Sequence, residues 1–517
     1  MMKILRYTEN VLFCLLCIST IFACPDGVSR YFVSKCYLVV TIALLYFFIL
    51  LIREIFDKYS MHDCSFMYRI IAAACFGQAL YGLAQWCQLG FPLIGNYKVE
   101  GSFDNPAGFA SCLSIGLPFV LFSVKDIGER KLMKRRCLLA MVILVAIVIS
   151  GSRAGVISAI FTIALFYKMK LKNSIYVISV VLLSTLFLLG IYCFKKDSAD
   201  GRLLIWRCSL EMIMDSPILG HGMNGFKAHY MDYQAKYFES HRGSSFEMLA
   251  DEIHHPFNEY LMIAVNFGLI GLFLVIILIA VVLFCYFKNS CQESRVAFSS
   301  LTAVCVFSMF SYPCKYAFTW MVLVVGACVI ISRASLLRMS HKTKPILCCC
   351  SLPLIAILLC QICQQVNIHK MWDRLNVFKA SSREMYFEYA YLSSYLGENP
   401  YFLYDYAIEL FDNNLLDESL SKALLCRNYW ANFNLELLIG DIYRKQHKYE
   451  LAEKYYISAS NMCPCRFIPL YQLFELYKEQ GDMLNARLIA RSIMDKRVKV
   501  DSMIIMQMKF RVRQYAL

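Results

Sequence analysis

The feature that most restricts this chain is the recurrence of long apolar stretches. A hydrocarbon core about 30 Å thick takes about 20 apolar helical residues to cross, and about eleven stretches meet or approach that length. They lie near 8–24, 34–52, 68–88, 107–124, 136–150, 154–170, 174–194, 261–287, 296–313, 315–332 and 345–364. Backbone polar groups in lipid must be satisfied within the span, so these stretches read as helices. The expected fold is all-α: a polytopic bundle of about 11–12 spans followed by a helical repeat domain. The first stretch has the length of a signal-peptide core, but no small-residue cleavage site follows and a second span comes soon after, so it reads as an anchor.

Lys and Arg set the expected orientation. With the amino terminus in the cytoplasm, KDIGERKLMKRR (125–136), KMKLKN (168–173) and SRASLLRMSHKTK (332–344) share one side, and all are basic. The opposite connections, CPDGVSR (24–30) and QLGFPLIGNYKVEGSFDNP (88–106), carry one Lys or Arg each. The 195–260 segment and everything after the last span then lie outside the cytoplasm, in the periplasm of a cell with two membranes. Much of the net charge of +14 is this collar rather than a nucleic-acid surface. Most of the 24 cysteines fall inside spans, Cys348, Cys349 and Cys350 among them, where a thiol is a small apolar side chain. Cys463 and Cys465 lie on the outer side but are too close in sequence to favour pairing with each other.

Composition shifts after about residue 366, which separates a transmembrane domain, 1–365 with its external segment 195–260, from a second domain, 366–517. In the second, Tyr443 and Tyr477 are 34 residues apart, as are Ala452 and Ala486. The segment 404–425 reads as a degraded earlier copy. A period of 34 with small and large residues in register resembles the tetratricopeptide helical hairpin, a fold that grips peptides or partner proteins.

Several polar stretches share the expected outer face. In VISGSRAGVISAI (148–160), Arg153 sits in a tight turn whose small residues expose backbone N–H groups, which suits a phosphate and equally a cation snorkelling to headgroups. DGRLLIWRCSLEMIMDSPILGHGMNGF (200–226) holds Arg202 and Arg207 on different faces of a helix ending at Asp215-Ser216-Pro217, then a Gly-rich turn able to approach a ligand closely. The alternative is an amphipathic helix lying on the bilayer. In ADEIHHPFNEYLMIAVNFGLIG (250–271), His254 and His255 precede Pro256 in an extended segment, and Asn258 and Glu259 occupy the first turn of the next span. A neutral imidazole there suits proton transfer. Five of nine histidines (221, 229, 241, 254 and 255) fall in this external segment, yet none has the spacing with a carboxylate that a catalytic metal favours, so neither metal nor cofactor is expected. In GNYKVEGSFDNPAGFASCL (95–113), Asp104, Asn105 and Pro106 cap the following span and stand at the rim of the same region.

In their order, GSFDNPAGFA, SGSRAG, GR-x-x-x-W with DSP-x-LG-x-G-x-x-x-F, and NEYL followed by GLIG, these stretches resemble the O-antigen ligase and O-antigen polymerase superfamily of membrane glycosyltransferases, which includes bacterial O-oligosaccharyltransferases. The resemblance covers about residues 95–275. It implies metal-independent transfer of a glycan from an undecaprenyl-diphosphate carrier to an acceptor hydroxyl on lipid A-core or protein. It further implies that Arg153 and Arg202, with Arg207 and Asn258 nearby, bind the donor, and that a histidine at the mouth of the 261–287 span assists the acceptor. The family usually has His immediately before the Asn of NEYL, where this chain has Phe257. An extended His-Pro-Phe segment returns His255 to that place, since two residues span about 7 Å; His254, Glu259 and Asp251 are the other candidates. The expected protein is thus a multi-pass enzyme of the bacterial inner membrane. A repeat-unit polymerase is the nearest alternative. A non-enzymatic transporter or scaffold is the remoter one, which predicts mid-span charges and an inverted repeat that are not evident here.

Overall fold

A computed structural model describes residues 2–22, 31–56, 64–89, 97–123, 129–166, 196–334, 343–377 and 382–516. The expected span 174–194 and the connections 24–30 and 168–173 lie outside the described residues, as do parts of 88–106, 125–136 and 332–344. Among the described residues every regular element is helical: twenty α-helices and one 3-10 turn.

Among the described residues five helices are long and apolar enough to cross a membrane, within Met2–Phe22, Lys35–Arg53, Ser65–Trp86, Glu259–Lys288 and Cys349–Leu375. Pro106–Phe122, Cys137–Ile149, Arg153–Leu165 and Ala317–Arg333 are shorter apolar helices. An 18-residue helix is only about 27 Å long. The helix containing the last expected span, α12 (Thr343–Val377), continues unbroken past residue 366.

The chain divides into two compact units, one comprising Met1–Leu189, Phe257–Glu259 and Val275–Val377, the other Gly190–Pro256, Tyr260–Leu274 and Phe378–Leu517.

In the first unit, α3 (Ser65–Trp86), α4 (Pro106–Ser123), α6 (Arg153–Phe166) and α10 (Gln292–Ser308) form the core. Without a hydrophobic drive between helices in lipid, close approach depends on small residues and on side-chain hydrogen bonds across the interface. Both are present. Gly82 lies against Phe109, Gly116 against Cys75 and Gly155 against Ala110, with no room for a Cβ. Ser158 Oγ donates to the Ala303 carbonyl at 2.9 Å and Ser300 Oγ to that of Ile115 at 2.7 Å. These bonds fix a register in which α4 and α6 start level with the end of α10. The start of α3 belongs to the opposite end, where Tyr68 donates to the Glu293 carbonyl at 3.1 Å and Glu293 pairs with Arg333. That end also carries Lys134 and Arg135 at the start of α5 (Glu129–Ile149) and the Glu9–Arg53 ion pair.

The second unit joins α7 (Lys196–Asp215) and α8 (Gly225–Ser240) to the carboxy-terminal helices. Those form three hairpins: α14–α15 (Pro400–Asp412, Leu416–Arg427), α16–α17 (Phe433–Lys445, Tyr449–Met462) and α18–α19 (Ile468–Glu479, Met483–Asp495). Tyr443 and Tyr477 occupy matching places near the end of a first helix, and buried Ala452 and Ala486 match in the second. The Tyr456 ring fills the space over Gly440.

Candidate functional site

At one end of the first unit the turn before α4 is held from both sides. Gln85 Nε2 donates to the Gly101 carbonyl at 2.9 Å, and Ser102 Oγ donates to that of Ile21 at 3.0 Å. Asn105 then caps α4, its Oδ1 accepting the Gly108 N–H at 2.9 Å. At the same level Arg153 opens α6 after a turn with Gly151 at φ 69°, and Ser152 Oγ accepts the Gly155 N–H at 3.3 Å. Arg153 is half-buried.

The segment 309–316, between α10 and α11 (Ala317–Arg333), binds two of the sequence motifs. Towards α4, Lys315 Nζ pairs with Asp104 Oδ2 at 2.7 Å, Tyr316 Oη donates to Asp104 Oδ1 at 2.8 Å, and Asn105 Nδ2 donates to Tyr316 Oη at 2.9 Å. Towards the NEYL motif, Asn258 Nδ2 donates to the Met309 carbonyl at 3.2 Å, and Glu259 accepts the Cys314 N–H at 2.9 Å. The Phe257 and Tyr312 rings lie 5.4 Å apart. Asp104, Asn105, Arg153, Asn258 and Glu259 therefore share one end of the unit. Tyr312, Lys315 and Tyr316 were not singled out from sequence, although a lysine flanked by tyrosines between two apolar runs was a visible signal.

In the second unit the 216–224 turn does something the sequence did not suggest. The helix α9 (Glu259–Lys288) is broken at Gly268 (φ 62°, ψ −162°). The N–H of His221 donates to the Val265 carbonyl at 2.8 Å and that of Gly222 to Asn266 at 2.9 Å. In return Leu269 N–H donates to Pro217 at 2.8 Å. Asn266 Oδ1 accepts the Phe226 N–H at 2.9 Å. The Gly-rich turn thus approaches the chain's own backbone, satisfying groups that the broken helix frees.

The histidines separate by role. His221 Nε2 lies 2.8 Å from the Met212 carbonyl, and His241 Nδ1 lies 2.9 Å from that of Tyr237. Burial, with His221 beside it, holds His229 below the usual imidazole range. His254 Nε2 is 3.4 Å from Glu252. Burial, then Asp251 beside it, pushes the Glu252 carboxyl up. Both His254 and His255 precede Pro256, whose carbonyl accepts Trp206 Nε1–H at 2.9 Å. Phe257, expected in extended backbone, instead takes a left-handed turn at φ 54°. Such a conformation in a bulky residue costs on the order of 1–3 kcal/mol and clusters at functional sites. Arg202 is half-buried on α7, while exposed Arg207 stacks 4.9 Å over the Tyr237 ring.

The α7–α8 segment is fastened to the hairpins. Gln234 Nε2 donates to the Met462 carbonyl at 2.6 Å, Arg427 pairs with Asp232 at 3.1 Å and Glu436 at 2.5 Å, and Arg466 pairs with Asp251 at 2.9 Å. Asn432 donates to Glu252. The Lys227 ammonium lies 3.9 Å over the Tyr401 ring.

No curated protein matches the sequence. Residues 138–276 match the family model described as O-antigen ligase. The match spans Arg153, Arg202, Arg207, His254, His255, Asn258 and Glu259, together with the break at Gly268 and its partner turn, and it stops before the 309–316 segment. Residues 138–276 of this helical chain, with its membrane-length apolar helices, are thus similar to the O-antigen ligase family.

Proposed function

We propose that the chain moves a glycan from an undecaprenyl-diphosphate carrier to an acceptor hydroxyl at the periplasmic face of the inner membrane. The observation that carries this reading is that Asn258 and Glu259 bind the 309–316 segment at the end of the membrane unit where Arg153, from a separate part of the matched region, opens α6. Orientation is supported by the basic residues: Arg53, Lys134, Arg135 and Arg333 belong to the opposite end, as cytoplasmic collars do.

Arg153 binds the donor diphosphate in the membrane unit, and Arg202 and Arg207 of the second unit are assigned from the family resemblance as further donor-binding cations. Arginine stays charged, and its fork matches phosphate oxygens. The acceptor oxygen attacks the anomeric carbon, its proton passes to a base, and the carbon–oxygen bond to the diphosphate breaks. Undecaprenyl diphosphate leaves with that electron pair, stabilised by fixed cations. We assign the base to Glu259, held by the Cys314 N–H beside Asn258; His255 is the competing candidate. No step requires a metal. The hairpins read as tetratricopeptide-like repeats that hold the α7–α8 segment and offer their remaining surface to a protein partner or acceptor.

A knockout compared by glycan profile tests the reading. Loss of long-chain lipopolysaccharide on intact core identifies a ligase and loss of glycans on periplasmic proteins a protein transferase, whereas single-repeat glycans identify a polymerase. An unchanged envelope glycan profile refutes all three.

A further inference from the structure

We propose that Lys315 is a further diphosphate-binding residue of the membrane unit, held ready by Asp104 and transferred to the donor's phosphate when it arrives. The proposal rests on the glycosyltransferase reading above and adds to it a residue outside the matched region.

Three features of the cluster carry it. The first is that Asp104 does not depend on the lysine. Its Oδ1 already accepts Tyr316 Oη–H at 2.8 Å and Asn105 Nδ2–H at 3.0 Å, while Lys315 Nζ binds the other oxygen at 2.7 Å. Removing one partner from a buried charge is costly when nothing else satisfies it. Here two donors remain on the carboxylate, so the ammonium exchanges partners at low cost.

The second is that the lysine is surplus to the structural tie. Asn105 caps α4, and the Asp104–Tyr316 bond already joins two segments 212 residues apart. The Phe103 and Tyr316 rings, 5.3 Å apart, add an apolar contact to the same junction. A charge adds little to a junction already fastened in this way.

The third is position. Lys315 stands at the end of the unit where Arg153 opens α6, and the residue before it gives its N–H to Glu259. One short segment therefore carries a cation and braces the proposed base. The side chains of Lys315 and Asp104 are 20% and 15% exposed, so the pair is shielded yet open to an arriving anion. A lysine suits the task, because its compact charge on a four-carbon stem can swing between oxygens, where a bidentate arginine would stay with the carboxylate.

The test is titration of undecaprenyl diphosphate into the detergent-solubilised full chain and its variants, each with a melting curve. Lys315→Ala should weaken binding about ten- to hundredfold, as loss of a charged hydrogen bond does. Lys315→Arg, whose fork stays with the Asp104 carboxylate, should recover little of it. Lys315→Gln keeps a donor for Asp104 without the charge and should bind as poorly as the alanine variant while melting near the unsubstituted chain. Asp104→Asn removes the competing anion and should bind at least as well as the unsubstituted chain. Unchanged affinity in Lys315→Gln, or a parallel loss in Asp104→Asn and Lys315→Ala, overturns the proposal and leaves a structural ion pair. No binding by the unsubstituted chain overturns the glycosyltransferase reading together with it.

Discussion

The backbone N–H of His221 donates to the carbonyl of Val265 at 2.8 Å, across a break in a membrane-length helix. In lipid an unsatisfied backbone group costs several kcal/mol, so the break persists only because the 217–222 turn supplies the missing partners. Two glycines make this possible, Gly220 at φ 69° and Gly268 at φ 62°.

A side chain at either glycine should therefore undo the pairing. A Cβ on Gly220 would stand 2.5 Å from the Asn266 carbonyl carbon, and one on Gly268 would strike the Ile218 carbonyl. Gly268→Val is expected to destabilise the protein by at least about 1–3 kcal/mol from backbone strain alone. Thermal unfolding of the solubilised protein measures this, and an unshifted midpoint refutes it.

Arg153→Ala and Arg202→Ala should each abolish glycan transfer while the protein remains inserted. Fractionated membranes assayed for lipid-linked donor turnover show whether this holds, and normal transfer in both variants rejects the diphosphate role.

Glu259→Gln removes the proposed base and should lower kcat about 10²–10⁴-fold with little change in donor affinity. If His255→Ala shows that loss and Glu259→Gln does not, the base is the imidazole.

Arg427 joins Asp232 of α8 to the almost fully buried Glu436 of α16. Burial pushes the Glu436 carboxyl up, and the guanidinium opposes that shift. Arg427→Ala leaves the carboxylate without its cation and should cost about 1–3 kcal/mol, loosening α7 and α8 with the hairpins. Hydrogen exchange of the Gln234–Tyr237 amides reports the coupling; protection equal to that of the unsubstituted chain contradicts it.

Lys496, which donates to the Arg466 carbonyl at 2.7 Å, is lowered to about 8, chiefly by burial. Between about pH 8 and an unfolded value near 10.4 the unfolded chain holds more protons there, so this group makes stability rise with pH across that window. Lys496→Met should melt higher than the unsubstituted chain near pH 7, and the difference should narrow towards pH 10. A constant gap would dismiss the titration.

The membrane character, the basic collar and the 34-residue spacing in the second half could all be read from the chain alone. Each is written in local composition or in a short period, and a span or a hairpin is decided within its own residues. The same holds for Arg153 in its Gly-Ser turn and for Asn105 as a cap. Tertiary structure alone decided that Lys315 meets Asp104, that the Gly-rich turn closes the break at Gly268, that Phe257 turns left-handed, and that α8 is fastened to hairpins some 200 residues away. Those outcomes depend on helices packing in one register, and pairing between distant segments leaves no periodic trace in sequence, because the free energy that selects it exists only once the helices are together.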